Sequence, residues 1–117
     1  MRDAVRRQTS TFDVGARAHE LMVRAHRLRR RGDHRRAALT MREACGLDHL
    51  SAAHWMMYGN YLAHLGRRDD AEHAMKQALY LRERSGEKAK ANVIRRELLR
   101  VGRASQPRVR VGRTSPR

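Results

Sequence analysis

The stretch Trp55–Ala78, WMMYGNYLAHLGRRDDAEHAMKQA, decides the fold because its pattern also occurs 34 residues earlier in the chain. Apolar, small and glycine residues match at this spacing in the pairs Leu28/Leu62, Gly32/Gly66, Ala37/Ala71, Met41/Met75, Ala44/Ala78 and Leu47/Leu81. A fixed period of this length is typical of stacked units that cannot bury their apolar faces alone. The repeat therefore predicts a binding scaffold rather than an enzyme.

Each copy has the pattern of two helices joined by a glycine turn. In the first copy, apolar residues recur at helical spacing over 18–28 and over 37–47, with a break at Gly32. Asp33 and Ser51 occupy the positions expected for the N-caps of the second and third helices. Aromatic residues make up only 4% of the chain, and β-branched residues and proline are scarce. This composition predicts an all-α fold without a sheet.

The second copy carries a longer motif that reads Trp55-x3-Gly59-x2-Leu62-x3-Gly66-x4-Ala71-x3-Met75-x2-Ala78. This motif resembles the tetratricopeptide repeat (TPR) over essentially the whole unit. The first copy fits less closely, with Leu21 at the tryptophan position and Ala25 at the first glycine position. Both copies lack the proline that TPRs often carry after the second helix. The resemblance implies that Trp55 fills the gap between helices and that Gly59 and Ala71 let the paired helices touch.

Two such units and a cap account for most of the 117 residues. We expect an N-terminal extension over 1–15, with Thr11 or Asp13 as the N-cap of the first helix, and a TPR-like domain over 16–102. That domain, an α-solenoid, divides into repeat one at 18–50, repeat two at 51–85 and a capping helix at 86–102. Residues 103–117 carry five arginines and no acidic residue, so we expect a flexible basic tail.

The formal net charge is +15, which favours binding to polyanions or acidic proteins. Because stacked hairpins place equivalent turns side by side, the arginines near the turns are expected to form one continuous basic ridge. Its members are Arg31, Arg35, Arg36, Arg67, Arg68, Arg100 and Arg103. The ridge is interpreted either as a surface for phosphates or carboxylates, or as a solvated surface that reflects compositional bias toward arginine.

The TPR resemblance also implies a concave groove, lined by the first helix of each pair and by the capping helix. The groove residues would be His19, Met22, His26, Arg29, Arg30, Met56, Asn60, His64, Asn92 and Arg96. Asn60 takes the position of an asparagine that bonds the ligand backbone in peptide-binding TPRs, whereas the lysines of a carboxylate clamp are missing. A groove of mixed apolar and basic character favours an acidic or amphipathic protein segment as the ligand.

No residue pattern in the chain indicates an active site. A glycine-rich phosphate loop is missing, and the acidic residues fall on predicted turns or surface faces. The histidines lack cysteine, aspartate or glutamate at ligand spacing, so neither a metal nor another cofactor is expected. Cys45, the single cysteine, is expected to be buried in the helix packing. Without a leader sequence or an apolar stretch of membrane-spanning length, the protein is predicted to be cytoplasmic.

Two other functions remain open beside that of an adaptor, scaffold or chaperone. A nucleic-acid-associated protein would bind phosphates through the basic ridge and the tail. However, the TPR resemblance places Trp55 and Tyr58 toward the core, which leaves few rings for stacking on bases. Homo-oligomers would form if the end faces of two chains stacked and buried each other.

Overall fold

The computed structural model describes the backbone of residues 2–105 and the side chains of 13–103. It contains five α-helices in this part of the chain, which are α1 (Arg2–Arg30), α2 (His34–Leu47), α3 (Ala52–His64), α4 (Arg68–Arg84) and α5 (Lys88–Ser105). Residues 2–105 include no strand, which confirms the predicted all-α fold. Across the same residues, every helix is too short or too polar to cross a lipid bilayer.

Three of the connections are three-residue turns of the same type. Their glycines Gly32, Gly66 and Gly86 adopt φ values of 88°, 82° and 74°, a left-handed conformation that costs glycine little. In each turn, the residue after the glycine donates its N–H over 2.9 Å to the carbonyl five residues earlier, in the pairs Asp33/Leu28, Arg67/Leu62 and Glu87/Arg82. This is the Schellman arrangement. Such short connections leave the joined helices antiparallel.

The predicted N-caps of α2 and α3 are confirmed. The carboxylate of Asp33 accepts a hydrogen bond from the Arg36 N–H at 3.3 Å. The Ser51 hydroxyl accepts one from the His54 N–H at 3.2 Å. Each bond satisfies one of the N–H groups that a helix leaves unpaired at its start. Arg67, at the start of α4, makes no side-chain cap bond.

The two outer helices are longer than predicted. The helix α1 runs without interruption over 29 residues, so Thr11 and Asp13 lie inside it and do not cap it. It thereby includes most of the predicted extension over 1–15. Each polar residue of α1 reduces the stability of the helix by roughly a few tenths of a kcal/mol relative to alanine. No proline interrupts the helix. The helix α5 continues past Gly102 into the predicted tail, of which 106–117 lies outside the described residues.

Small and flexible apolar side chains fill the core, which forms where consecutive helices pack: α1 on α2, α2 on α3, α3 on α4 and α4 on α5. The alanines with no exposed surface are Ala18, Ala25, Ala37, Ala44, Ala71 and Ala78. A Cβ atom added to Gly59 would lie 2.8 Å from Cγ of Met75 and 3.2 Å from the carbonyl oxygen of Ala71. The close contact predicted between α3 and α4 is therefore confirmed.

Cys45 of α2 is buried, as predicted. Burial, together with the nearby negative charge of Asp48, raises the pKa of its thiol to about 12. A thiol with such a high pKa stays protonated at neutral pH and is a poor nucleophile. Cys45 therefore belongs to the packing of the fold.

Candidate ligand-binding cleft between α1 and α3

The alternating direction of the helices brings five helix ends together. These are the C-terminal ends of α1, α3 and α5 and the N-terminal ends of α2 and α4, which we call the turn end. The ring centroids of His34 and His64, from α2 and α3, lie 4.2 Å apart there. A Cβ atom on Gly102 of α5 would lie 3.2 Å from the Glu72 carboxylate of α4. All seven arginines of the predicted ridge are in or next to this turn end.

The arginines of the ridge are not equally available to a ligand. Three form ion pairs, which are Arg36–Asp33 at 3.7 Å, Arg67–Asp70 at 2.6 Å and Arg100–Glu97 at 2.7 Å. Each partner lies three residues away on or beside the same helix, a spacing that brings side chains into contact. Arg31, Arg35, Arg68 and Arg103 make no ion pair within the described side chains. Three of the seven ridge arginines are therefore ion-paired, and four carry no ion-pair partner among the described side chains.

A cleft of about 340 Å³ lies between α1 and α3, close to the turn end. It is lined by His26, Arg29, Met57, Asn60, Tyr61 and His64. The two α1 residues are three apart, and the α3 residues follow the spacing that places side chains on one helix face. Four residues of the predicted groove, His26, Arg29, Asn60 and His64, therefore meet in one cleft.

Tyr61 forms part of the floor of this cleft. Only 6% of the residue is exposed, and its hydroxyl has no well-formed hydrogen bond among the described side chains. Burial raises the pKa of Tyr61, while the guanidinium of Arg29, which is close to the hydroxyl, opposes this rise. The phenol therefore stays neutral, and the positive charge at the cleft comes from Arg29.

His54 is buried in the first turn of α3, away from the turn end. Burial lowers its pKa, the Asp48 carboxylate opposes this shift, and the nearby His19 imidazole reinforces it. A lowered pKa favours the neutral imidazole. Although His19 was expected in the groove, it is an exposed residue of α1 and does not line the cleft.

The other predicted groove residues also lie outside the cleft. Met22 and Met56 are half-buried and pack against the core, and Arg30 is exposed at the last position of α1. Asn92 and Arg96 are exposed on α5. Four of the ten predicted groove residues thus line the α1–α3 cleft, and the other six lie outside it.

Sequence reasoning missed two residues of the cleft, Met57 and Tyr61. The signal was present, because Met57 precedes Asn60 by three residues and Tyr61 precedes His64 by three. Steps of three and four residues follow one helix face. Met56 was placed in the groove by the register of the TPR resemblance, whereas the cleft follows the adjacent residue.

A second cavity of about 650 Å³ opens on a different face of α3, between α2 and α4. Trp55 and Tyr58 pack against the core, as expected, but they are only partly buried and also line this cavity. The indole N–H of Trp55 donates to the His49 carbonyl at 2.8 Å and ties α3 to the loop before it. Both rings are accessible from this cavity.

Among the described side chains, no group of three or more histidine, cysteine, aspartate or glutamate residues is arranged to hold a metal ion. The chain matches no model of a known protein family, and a comparison with curated proteins finds no match either.

Proposed function

We propose that this protein is a non-enzymatic interaction module with a TPR-like arrangement of helices. Its α1–α3 cleft binds an acidic or amphipathic segment of a partner protein. The observation that carries the proposal is the convergence of Arg29, Asn60 and two histidines, from two helices, on a cleft with an apolar floor. Its lining matches the chemistry of a segment that presents both carboxylates and apolar side chains.

Each side chain of the cleft has a suitable role in this binding. The guanidinium of Arg29 is exposed and makes no ion pair with a described residue, so it can hold a carboxylate through two parallel hydrogen bonds. The exposed amide of Asn60 can donate to and accept from a peptide backbone. Met57 offers a flexible apolar contact that adapts to different partners. The net charge of +15 would attract an acidic segment over long range.

A nucleic-acid-associated function is the second candidate. It is favoured by the unpaired arginines Arg31, Arg35, Arg68 and Arg103 around the turn end. Such a row would neutralise phosphates without reading base sequence, and binding would weaken steeply as salt is added. The α1–α3 cleft contributes only one arginine, so this function would use a different surface from that of the peptide.

Fluorescence anisotropy with a labelled acidic amphipathic peptide tests the proposed function. Arg29→Glu is expected to weaken binding about tenfold or more, because truncating or reversing a contact charge typically costs that much. Asn60→Ala is expected to weaken it by a smaller factor. The matched control is Arg24→Glu, which makes the same change in net charge at an exposed residue on the opposite side of α1.

Equal weakening by Arg24→Glu and Arg29→Glu would show that only overall charge matters, and would contradict binding in the cleft. Displacement of the peptide by a short single-stranded oligonucleotide, with unchanged affinity in Arg29→Glu, would favour the second candidate. Far-UV circular dichroism of each variant checks that the helices are intact.

A further inference from the structure

We propose that the cavity between α2, α3 and α4 is a second docking site, separate from the α1–α3 cleft, and that its occupant is an acidic amphipathic helix of a partner protein. The proposal does not depend on the function of the cleft. It rests on the shape of the cavity, its accessible apolar floor and the unpaired charges at its rim.

The cavity is a trough that runs along three antiparallel helices. Its lining is Arg35, Ala38, Leu39 and Arg42 on α2, Trp55, Tyr58, Leu62 and Leu65 in or next to α3, and Arg67, Asp70, His73 and Ala74 in or next to α4. On each helix these residues follow the spacing of a single face. From Trp55 to Leu65 the chain advances by ten residues, which is about 15 Å at roughly 1.5 Å per residue, or nearly three helical turns. A helix laid in the trough would match this length.

The floor of the trough is apolar and accessible. Leu39 is 54% exposed and Leu65 is 36% exposed, although both are large apolar residues. The rings of Trp55 and Tyr58 also line the trough, with centroids 6.3 Å apart. Aromatic and aliphatic side chains around a pocket commonly provide the anchor point of a protein interface. Leucine or a similar apolar side chain from one face of a partner helix would pack on this floor.

The rim of the trough carries uncompensated positive charge. Arg35 and Arg42 flank the floor on α2, seven residues apart, and neither forms an ion pair with any residue from 13 to 103. Asp70 is the single acidic residue of the lining, and its carboxylate is already held by Arg67 at 2.6 Å. Carboxylates on the partner are therefore expected at both ends of its apolar face.

Charge also argues against occupants from this chain. Residues 106–117 carry four arginines and no acidic residue, so the basic rim would repel them. A second copy of the protein would bring another net charge of +15 to the same rim. The rim would not repel a partner that carries negative charge.

Trp55 provides a direct readout because it is the single tryptophan of the chain and lines the trough. The probe is a tryptophan-free synthetic peptide of roughly 18 residues, long enough to form a helix, with leucines on one face and glutamates on the other. A twin peptide with lysine in place of each glutamate is the control. We expect the glutamate peptide to shift the emission of Trp55 to shorter wavelength, and the lysine peptide to leave it unchanged.

Variants on three surfaces of the protein identify where the glutamate peptide binds. Arg42→Glu and Arg35→Glu are each expected to weaken the titration of Trp55 emission about tenfold, as for other contact charges. Arg24→Glu, with the same change in net charge, and Arg29→Glu in the α1–α3 cleft are expected to leave it within about twofold. The two sites would be separated by two results: an intact Trp55 titration in Arg29→Glu, and a further loss of anisotropy binding when Arg29→Glu is added to Arg42→Glu, in which the trough is blocked.

Four results would overturn the proposal. The first is unchanged Trp55 emission at saturating glutamate peptide. The second is equal weakening by Arg24→Glu and Arg42→Glu. The third is an equal shift caused by a single-stranded oligonucleotide that competes with the peptide, which would identify the trough as a nucleic-acid surface. A shift that grows with protein concentration alone would also contradict it, because it would indicate self-association.

Discussion

Gly59 and the alanines opposite it set the distance between α3 and α4. The backbone of Gly59 lies so near Ala71 and Met75 that even a methyl group would contact both. Glycine lowers helix stability by roughly 1 kcal/mol relative to alanine at an unconstrained helix position. The fold tolerates this loss because the close approach lets Met75, which is fully buried, fill the space between the helices.

Gly59→Ala is therefore expected to destabilise the protein by about 1–3 kcal/mol, since overpacking outweighs the gain in helix propensity. Urea unfolding followed by circular dichroism measures the change. The control is Gly46→Ala, another helical glycine, where an added Cβ has nothing within 4 Å. We expect this control to be neutral or to stabilise by up to about 1 kcal/mol. Equal effects at the two positions would contradict the close contact of α3 with α4.

The second and fourth helices start with the same backbone but different caps. Asp33 and Arg67, which are equivalent in the 34-residue repeat, both have φ −88° and ψ 70°. Asp33 caps α2 with its carboxylate, whereas the Arg67 side chain pairs with Asp70 and leaves the first N–H groups of α4 without a side-chain cap. The two copies of the repeat therefore share one turn geometry, but only the first copy caps the following helix with a side chain.

Replacing Arg67 by aspartate should transfer the α2 cap to α4. We expect Arg67→Asp to be more stable than Arg67→Ala by about 1 kcal/mol, which is the usual contribution of an N-cap side chain. The negative charge of aspartate also interacts favourably with the positive end of the helix dipole. The comparison with alanine removes the effect of losing the exposed pair with Asp70, which contributes little. Thermal unfolding of the two variants measures the difference. If Arg67→Asp were no more stable than Arg67→Ala, the two turns would not be equivalent.

Taken together, the helices form a row in which each packs mainly on the next, and the row carries a large positive charge. The ion pairs among the described residues are at or near the surface, including Arg95–Glu83 and Arg82–Glu87, so each adds little stability. Repulsion among the remaining arginines should therefore exceed the attraction within the pairs. Partners that bring negative charge would relieve this repulsion when they bind.

This balance predicts that added salt stabilises the protein. The melting temperature should rise between low ionic strength and about 0.15 M NaCl, where the screening length is about 8 Å. Differential scanning calorimetry measures the rise. A double variant, Arg24→Glu with Arg27→Glu, lowers the net charge at exposed positions of α1 and should reduce it. A melting temperature that falls with added salt would mean that the surface ion pairs dominate.

Residue preferences and short-range spacing in the sequence were enough to predict the helices, the turns between them and their caps. The turns at Gly32 and Gly66 and the caps at Asp33 and Ser51 were correctly predicted, because each depends on the conformational preference of one residue or on a hydrogen bond over three residues. The buried alanines follow from helical spacing in the same way. Only the outer ends of α1 and α5 were misjudged, where weak propensities decide the boundary.

Which residues line the cleft and the trough depended on how the helices rotate against each other. The structure places Met57 rather than Met56 at the α1–α3 cleft, and it leaves Trp55 and Tyr58 partly exposed toward the trough. Adjacent residues on a helix differ by about 100° in direction, so a small rotation exchanges core and surface. Spacing along the chain therefore determines which residues share a face, whereas packing between helices determines where that face points.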